Sequence, residues 1–136
     1  MHVEWQGEKL LLRPVTTTDR AFIFATWMRS YRQTQHLVEY EAYHRGQVRR
    51  VERLWDTARV ACRETAPDTI HAWVCGAPGL LHYVYVPPDL RGKRLARTIV
   101  RGLCGDRLEF THRWPFDALP QGWRPNEYRL EDTCSK

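Results

Sequence analysis

The chain of 136 residues lacks several features that mark large classes of protein. It has four cysteines, none of them in a CxxC pair: Cys62, Cys75, Cys104 and Cys134. Cysteines scattered in this way argue against a zinc site or a disulfide scaffold and favour a reduced, cytoplasmic protein. The N-terminus has no secretory hydrophobic segment, and no apolar run is long enough to cross a bilayer, so no membrane partner is predicted.

Familiar catalytic signatures are absent as well. The sequence contains no GxSxG, no P-loop, no HExxH and no DxDxDG, which removes the main motif-based assignments. Three histidines, His71, His82 and His112, fall on separate predicted strands and would share a metal ion only if those strands converged. No metal site is therefore predicted.

The composition is that of a globular protein with a basic surface. Hydrophobic residues make up 43% of the chain and charged residues 27%, which is typical of one folded domain, here residues 1–136. The formal net charge is +5, and the excess of arginine falls largely on two predicted helices. Such a surface favours anionic partners: a nucleotide-bearing cofactor, nucleic acid or an acidic protein face.

The order of the predicted elements indicates an α/β (α+β) fold, a mixed and largely antiparallel central sheet flanked by helices. Strands are predicted over residues 9–15, 70–75, 80–86 and 108–112. Helices are predicted over residues 19–32, 45–63 and 91–103, with Thr16, Thr17, Thr18 and Asp19 supplying capping oxygens and a negative charge for the first. Residues 114–125 read as a loop, and residues 126–131 are a candidate for a last short strand.

Residues 33–44 allow two interpretations. The segment is rich in titratable and aromatic side chains, among them Glu39 and Glu41. It is either a loop in which one of these carboxylates recognises a cationic acceptor, or a polar connection between two helices.

Residues 80–103 carry the strongest signal for function. The strand must end at Pro87 and Pro88, which supply no N–H group to a ladder, and Asp89 occupies the position of a helix N-cap. A basic turn then opens a helix. Free backbone N–H groups and the positive end of the helix dipole make such a junction suitable for a phosphate group.

This stretch resembles motif A of the GNAT superfamily of N-acetyltransferases. The motif, Gln/Arg-x-x-Gly-x-Gly/Ala, lies at a strand-to-helix turn and here reads Arg91-Gly92-Lys93-Arg94-Leu95-Ala96. Both ends of the motif match, whereas Arg94 stands where the family has glycine. The resemblance covers residues 10–112 and implies a GNAT-like sheet and acetyl-CoA as co-substrate.

In that family the turn holds the pyrophosphate of acetyl-CoA and the preceding strand holds the pantetheine arm. The resemblance thus implies two sets of binding residues: Tyr83, Val84, Tyr85 and Val86 for the arm, and Arg91, Gly92, Lys93, Arg94, Leu95 and Ala96 for the pyrophosphate. The side chain of Arg94 either crowds the pyrophosphate or swings out to pair with it. The strands at 80–86 and 108–112 are expected to splay apart and admit the arm.

Acyl transfer also needs a base for the amine and a donor for the thioester oxygen. His82 and His112 are the candidate bases, with Glu109 nearby, because they fall on neighbouring predicted strands. Each histidine is alternatively a core residue satisfied by hydrogen bonds. Tyr128 is the best match to the late tyrosine that, in the family, protonates the leaving thiolate.

Three functions fit these residues. The first is an acetyl-CoA-dependent N-acyltransferase that acetylates an amine of an acceptor the sequence does not identify. The second is a GNAT-like binding protein of the small phage type that has lost catalysis, which Arg94 favours. The third is a nucleic-acid-associated protein that uses the arginine faces of its helices.

Overall fold

In the part of the chain that the computed structural model describes, residues 1–34, 49, 57–111 and 122–125, seven strands form one mixed sheet. The strands are β1 (His2–Trp5), β2 (Glu8–Pro14), β3 (Ala58–Cys62), β4 (Ala72–Ala77), β5 (Leu80–Tyr85), β6 (Leu108–Phe110) and β7 (Trp123–Pro125). The helical elements are α1 (Thr17–Thr34), a 3-10 turn (Pro88–Leu90) and α2 (Leu95–Cys104).

Each strand lies beside its neighbours in sequence, and the direction of pairing changes at β5. Strands β1 to β5 are antiparallel, whereas β6 is parallel to β5 and β7 is parallel to β6. The parallel step from β5 to β6 is made by α2, as a parallel pair requires a crossover. The mixed, largely antiparallel sheet predicted from the sequence is confirmed, in an α+β architecture.

The two faces of the sheet are covered by different helices. α2 packs on β1, β4 and β5 and buries Leu95, Ile99 and Val100. On the opposite face, Ile23 of α1 packs in a second cluster with Trp73 of β4. Because a fully buried aliphatic side chain contributes about 1.5–3 kcal/mol, these contacts fix both β5 and the helix that follows it.

The negative charge predicted at the N-terminus of α1 is present, because Asp19 lies in the first turn of the helix. The Asp19 carboxylate accepts hydrogen bonds from the backbone N–H of Thr16 and from its hydroxyl, both at 2.8 Å. Arg13, at the end of β2, donates to both carboxylate oxygens at 2.6 and 3.0 Å and also to the carbonyl of Pro67 at 2.9 Å. These bonds join β2, α1 and the loop before β4.

The helix predicted over residues 45–63 is wrong at its C-terminal end. Residues Ala58–Cys62 form β3, which pairs with β2 on one side and β4 on the other. Arg49 is helical, and the other residues of 45–56 lie outside the described residues. Ala58 and Cys62, four residues apart, fit a helical period, whereas Ala58, Val60 and Cys62 fit the two-residue period of a strand, and pairing on both edges decides between the two.

Four of the predicted strands and the first predicted helix are confirmed with shifted ends. The predicted strands at 9–15, 70–75, 80–86 and 108–112 correspond to β2, β4, β5 and β6, and the first predicted helix to α1. The predicted loop is wrong where Trp123–Pro125 form β7, and the candidate strand at 126–131 lies outside the described residues. The strand β1 was not predicted, although Gln6 and Gly7, with φ of 50° and 76°, form the two-residue turn typical of a hairpin.

Candidate functional site

The strand β5 contains a β-bulge that re-aims its second half. Its pairing with β4 shifts from Gly76–Leu81 to Cys75–Tyr83, which makes His82 the extra residue. Leu81 packs in the cluster on the α2 face, and strict alternation would place Tyr83 there too. Tyr83 packs instead with the cluster on the α1 face. The extra residue therefore reverses the side on which the end of β5 presents its side chains.

An aromatic stack supports this end of β5. The ring of Trp73 lies 5.3 Å from that of Tyr83 and 6.3 Å from that of Tyr85, with nearly parallel planes. Phe22 meets Tyr85 edge-on at 6.0 Å, and the indole Nε1 of Trp73 donates to the hydroxyl of Thr26 at 2.9 Å. Stacked, hydrogen-bonded aromatic rings restrict the conformations open to this end of the strand.

Within the described residues, the edge of β5 towards β6 is paired for only part of its length. β6 pairs with Leu80 and Leu81, and the Thr111 N–H donates to the Leu81 carbonyl at 3.1 Å. β4 pairs with β5 as far as Tyr85. The backbone around Val84 and Tyr85 therefore lies beyond the described β6 ladder. The splay of the two strands stays a prediction, because the residues that follow Thr111 lie outside the described part of the chain.

A turn with two residues in the left-handed region joins β5 to α2. Gly92 has a φ of 78°, and Arg94 has φ 63° and ψ 17°. Because a helix requires negative φ, α2 begins only at Leu95, and the prediction of a helix from Arg91 is wrong in its first turn. Arg94, and not Asp89, occupies the N-cap position. A non-glycine residue in this region costs about 1–2 kcal/mol, so the site contains local strain.

Arg91 attaches the turn to the end of β5. Its Nε donates to the carbonyl of Val86 at 2.8 Å, and its guanidinium carbon lies 5.8 Å from the ring centroid of Tyr85. The contact over the ring is a cation–π interaction. The first residue of the motif is thus held in place by the strand that precedes it.

The N-terminus of α2 presents backbone donors on a positive surface. The first helical hydrogen bond runs from the Thr98 N–H to the Arg94 carbonyl at 3.0 Å, so the N–H groups of Leu95, Ala96 and Arg97 precede it. No side chain caps this end and its first turn contains no acidic residue. A left-handed residue followed by a helical one points consecutive N–H groups to one side, which makes a concavity suited to an anion.

The surroundings of these donors are open and basic. The side chains of Arg91, Lys93, Arg94 and Arg97 are exposed. A Cβ added at Gly92 would meet no atom of the described residues within 4 Å, so none of them crowds this side of the turn. All six residues that the motif assigns to the pyrophosphate are therefore brought together around one helix end.

One residue of this site was missed by the sequence argument. The indole Nε1 of Trp5, in β1, donates to the carbonyl of Lys93 at 2.8 Å, and the Trp5 side chain is buried. Its signal in the sequence was the alternation of Val3 and Trp5 before the Gln6–Gly7 turn, which marks a short strand. That strand could not be placed beside α2 without the sheet order.

Of the three candidate catalytic residues, His82 is the one that lies within the described residues. His82 is 1% exposed, and its Nδ1 lies 3.1 Å from the hydroxyl of Thr111. This position fits a buried histidine that supports the bulge better than one that touches an amine in the free protein. His112 and Tyr128 lie outside the described residues, and their roles stay predictions.

The described ranges contain no cluster of three or more His, Cys, Asp or Glu side chains arranged to hold a metal ion. Their helices include none that is long and apolar enough to cross a membrane. Cys62, Cys75 and Cys104 are buried. Comparison of the chain with models of protein families, with curated proteins and with solved structures found no match.

Proposed function

We propose that this chain is an acetyl-CoA-dependent N-acyltransferase of the GNAT type. The observation that carries the proposal is the turn over residues 91–96, where an uncapped helix end is reached through two left-handed residues and is surrounded by exposed basic side chains. The order of strand, turn, helix and next strand supports the proposal. The acceptor would be an amine of a small molecule or a protein.

The pyrophosphate would bind at the start of α2. The N–H groups of Leu95 and Ala96 supply donors, and the helix dipole favours a negative group at this end. The exposed guanidinium of Arg97, in the first turn of α2, adds a positive charge near this end of the helix. These interactions need no metal ion and no side chain other than the basic ones at the turn.

The pantetheine arm would lie along β5 beyond Leu81, as the resemblance implies. Amides in this stretch could pair with the arm as a strand would, and one backbone N–H between Tyr83 and Val86 could donate to the thioester oxygen. The amine nitrogen would attack the thioester carbon as the C–S bond breaks. The amine proton would pass to a base, and the thiolate would be protonated in turn.

The assignment of the base stays open between the two histidines. His82 is buried against Thr111 and would act through an intervening group, because its ring does not reach the surface. His112 directly follows Thr111 in the sequence. Tyr128 remains the proposed donor to the thiolate.

Arg94 replaces the glycine of the motif but keeps the backbone conformation for which glycine is suited. Its Cβ is the additional group that a bound pyrophosphate would meet, and its exposed guanidinium is an additional donor. The turn therefore keeps a positive φ at this position although the residue is not glycine, which favours binding over a fold that has lost its ligand.

Calorimetric titration with acetyl-CoA tests the proposal. The wild-type protein is expected to bind in the micromolar range, and Gly92→Asp is expected to abolish binding by adding a carboxylate to the turn. Gly79→Asp is the matched control, because Gly79 also has a positive φ, of 80°, and open space around it, but lies beside Cys104 at the other end of α2. Equal loss in both variants, or no binding to the folded wild type, would contradict the proposal.

A second measurement distinguishes the enzyme from a binding protein on the same fold. Release of free thiol from acetyl-CoA is followed in the presence of a panel of amines. Binding without acceptor-dependent thiol release would favour a binding protein that has lost catalysis. Absence of acetyl-CoA binding, with steeply salt-dependent binding to DNA or RNA, would favour the nucleic-acid function instead.

A further inference from the structure

We infer that Trp5 is a positioning residue for the turn over residues 91–96, and that β1 acts as a clamp on that turn. The effect of Trp5 on ligand binding rests on the proposed function above. The effect of Trp5 on the conformation of the turn does not depend on that function, because the contact joins two residues of this protein. Trp5 and the turn are far apart in sequence and meet only through the fold.

The contact is a hydrogen bond from a buried donor. The indole Nε1 of Trp5 lies 2.8 Å from the carbonyl oxygen of Lys93, and only 8% of the Trp5 residue is exposed. A buried indole N–H needs an acceptor, and this carbonyl is the one that it reaches. Packing of Trp5 in the core under α2 fixes the position of the donor.

This bond sets the direction of the next amide. The described chain has no cis peptide, and in a trans peptide the C=O and the following N–H point in opposite directions. With the Lys93 carbonyl held towards Trp5, the N–H of Arg94 must point away from the core. The left-handed conformation of Arg94 then directs the N–H of Leu95 to the same side. One indole thus orients the first donors of the proposed phosphate site.

The same strand also contacts the far end of α2. A Cβ added at Gly102, in the last turns of the helix, would collide with the side chain of Val3. Val3 and Trp5 are two residues apart and lie in the same buried cluster, so they share one face of β1. β1 therefore meets α2 near its C-terminus through Val3 and the preceding turn through Trp5, and Gly102 permits the close approach.

Trp5→Phe removes the N–H and keeps most of the apolar packing. The measured quantity is the exchange rate of two backbone amides in the free protein, by NMR. The Thr98 amide bonds to Arg94 at the start of α2, and the Gly105 amide bonds to Arg101 at its end. Loss of one hydrogen bond is expected to speed exchange of the Thr98 amide about three- to tenfold, with little effect on the Gly105 amide.

Thr57→Val is the matched control, because it also removes one buried side-chain hydrogen bond, between the Thr57 hydroxyl and the Cys75 thiol at 2.6 Å, just before β3. This variant is expected to leave the ratio of the Thr98 and Gly105 exchange rates unchanged. If Trp5→Phe altered both amides equally, or altered the ratio no more than Thr57→Val, Trp5 would be a core residue and the inference would be overturned.

If Trp5→Phe does not fold, the wild-type protein still decides the question. The indole N–H of Trp5 is expected to exchange with water slowly, as a buried and bonded donor does, and to shift when coenzyme A is added. Rapid exchange of this proton would overturn the inference.

Titration with coenzyme A separates this inference from the proposed function. Wild-type binding that weakens about three- to tenfold in Trp5→Phe, but not in Thr57→Val, supports both. Wild-type binding with equal affinity in the two variants overturns the role of Trp5 and leaves the function standing. No wild-type binding overturns the function, and the amide exchange rates still decide whether Trp5 positions the turn.

Discussion

The guanidinium of Arg91 lies over the ring of Tyr85, 5.8 Å from its centroid, while its Nε donates to the neighbouring carbonyl of Val86. The turn that would hold the pyrophosphate is thus attached to the strand that would hold the pantetheine arm. A single side chain therefore couples the two halves of the proposed binding site.

Arg91→Lys should separate the geometry of this side chain from its charge. Lysine keeps the charge but cannot donate from an Nε in a planar fork, so both contacts are weakened. We expect affinity for acetyl-CoA to fall about tenfold and the free energy of unfolding to fall by about 1 kcal/mol. Arg101→Lys is the control, since Arg101 forms an exposed ion pair with Asp106 at the end of α2. Equal loss of affinity in the two variants would assign the effect to charge in general.

Arg94→Gly should stabilise the protein, contrary to the usual effect of adding glycine. The left-handed conformation costs arginine about 1–2 kcal/mol, whereas the flexibility of glycine in the unfolded chain costs about 0.5–1 kcal/mol. The free energy of unfolding, measured in urea, should rise by about 0.5–1 kcal/mol. Arg97→Gly, inside α2, should lower it by about 1 kcal/mol. A fall for both variants would mean that Arg94 is not strained in the folded protein.

Asp19→Asn should remove a pH dependence of stability. The two hydrogen bonds from Arg13 lower the pKa of Asp19 from 3.8 to about 2, against the opposing effect of burial. Because the folded pKa is the lower one, the stabilisation is complete above about pH 4 and is lost as the pH falls to about 2. A shift of this size corresponds to about 2 kcal/mol.

The variant should therefore be less stable at pH 7 by about 2 kcal/mol or more, and its stability should change less between pH 4 and pH 2. Asp106→Asn removes the carboxylate of an exposed pair and should cost less than about 1 kcal/mol. Urea unfolding at several pH values measures both. An unchanged pH profile in Asp19→Asn would show that the Arg13–Asp19 pair does not set the acid stability.

Gly102→Ala should destabilise the protein although alanine is the better helix former. The added Cβ would collide with Val3 of β1, which must move or yield. We expect a loss of about 1–3 kcal/mol, the usual cost of overpacking. Val3→Ala makes room for the new methyl group, so the double variant should lose less than the sum of the two single variants. Simple additivity in this cycle would contradict close packing of β1 on α2.

The sequence predicted the centre of the fold better than its edges. The strand β5 was predicted because the run from Leu80 to Tyr85 has the composition of a buried strand. The helix α2 was predicted because Leu95 and Ile99 recur at helical spacing. The segment around Val60 has two compatible periods, and only its pairing with β2 and β4 makes it a strand.

Residues of the site were predicted where they are contiguous and missed where the fold brings them together. Arg91 to Ala96 follow one another in the motif, and the structure gathers them at one helix end. Trp5 reaches the turn only through the order of the sheet. The left-handed conformation of Arg94 was not expected for arginine, and it moves the start of α2 to Leu95.

The central claim is that the pyrophosphate of acetyl-CoA binds the amides at the start of α2. An NMR titration of the ¹⁵N-labelled protein with coenzyme A tests it most directly. We predict that the amides of Gly92, Arg94, Leu95 and Ala96 shift most, with weaker but similar shifts for inorganic pyrophosphate, and that the amide of Gly105 at the other end of the helix does not shift. Shifts confined to other parts of the chain, or no shift of the turn at saturating coenzyme A, would contradict the account.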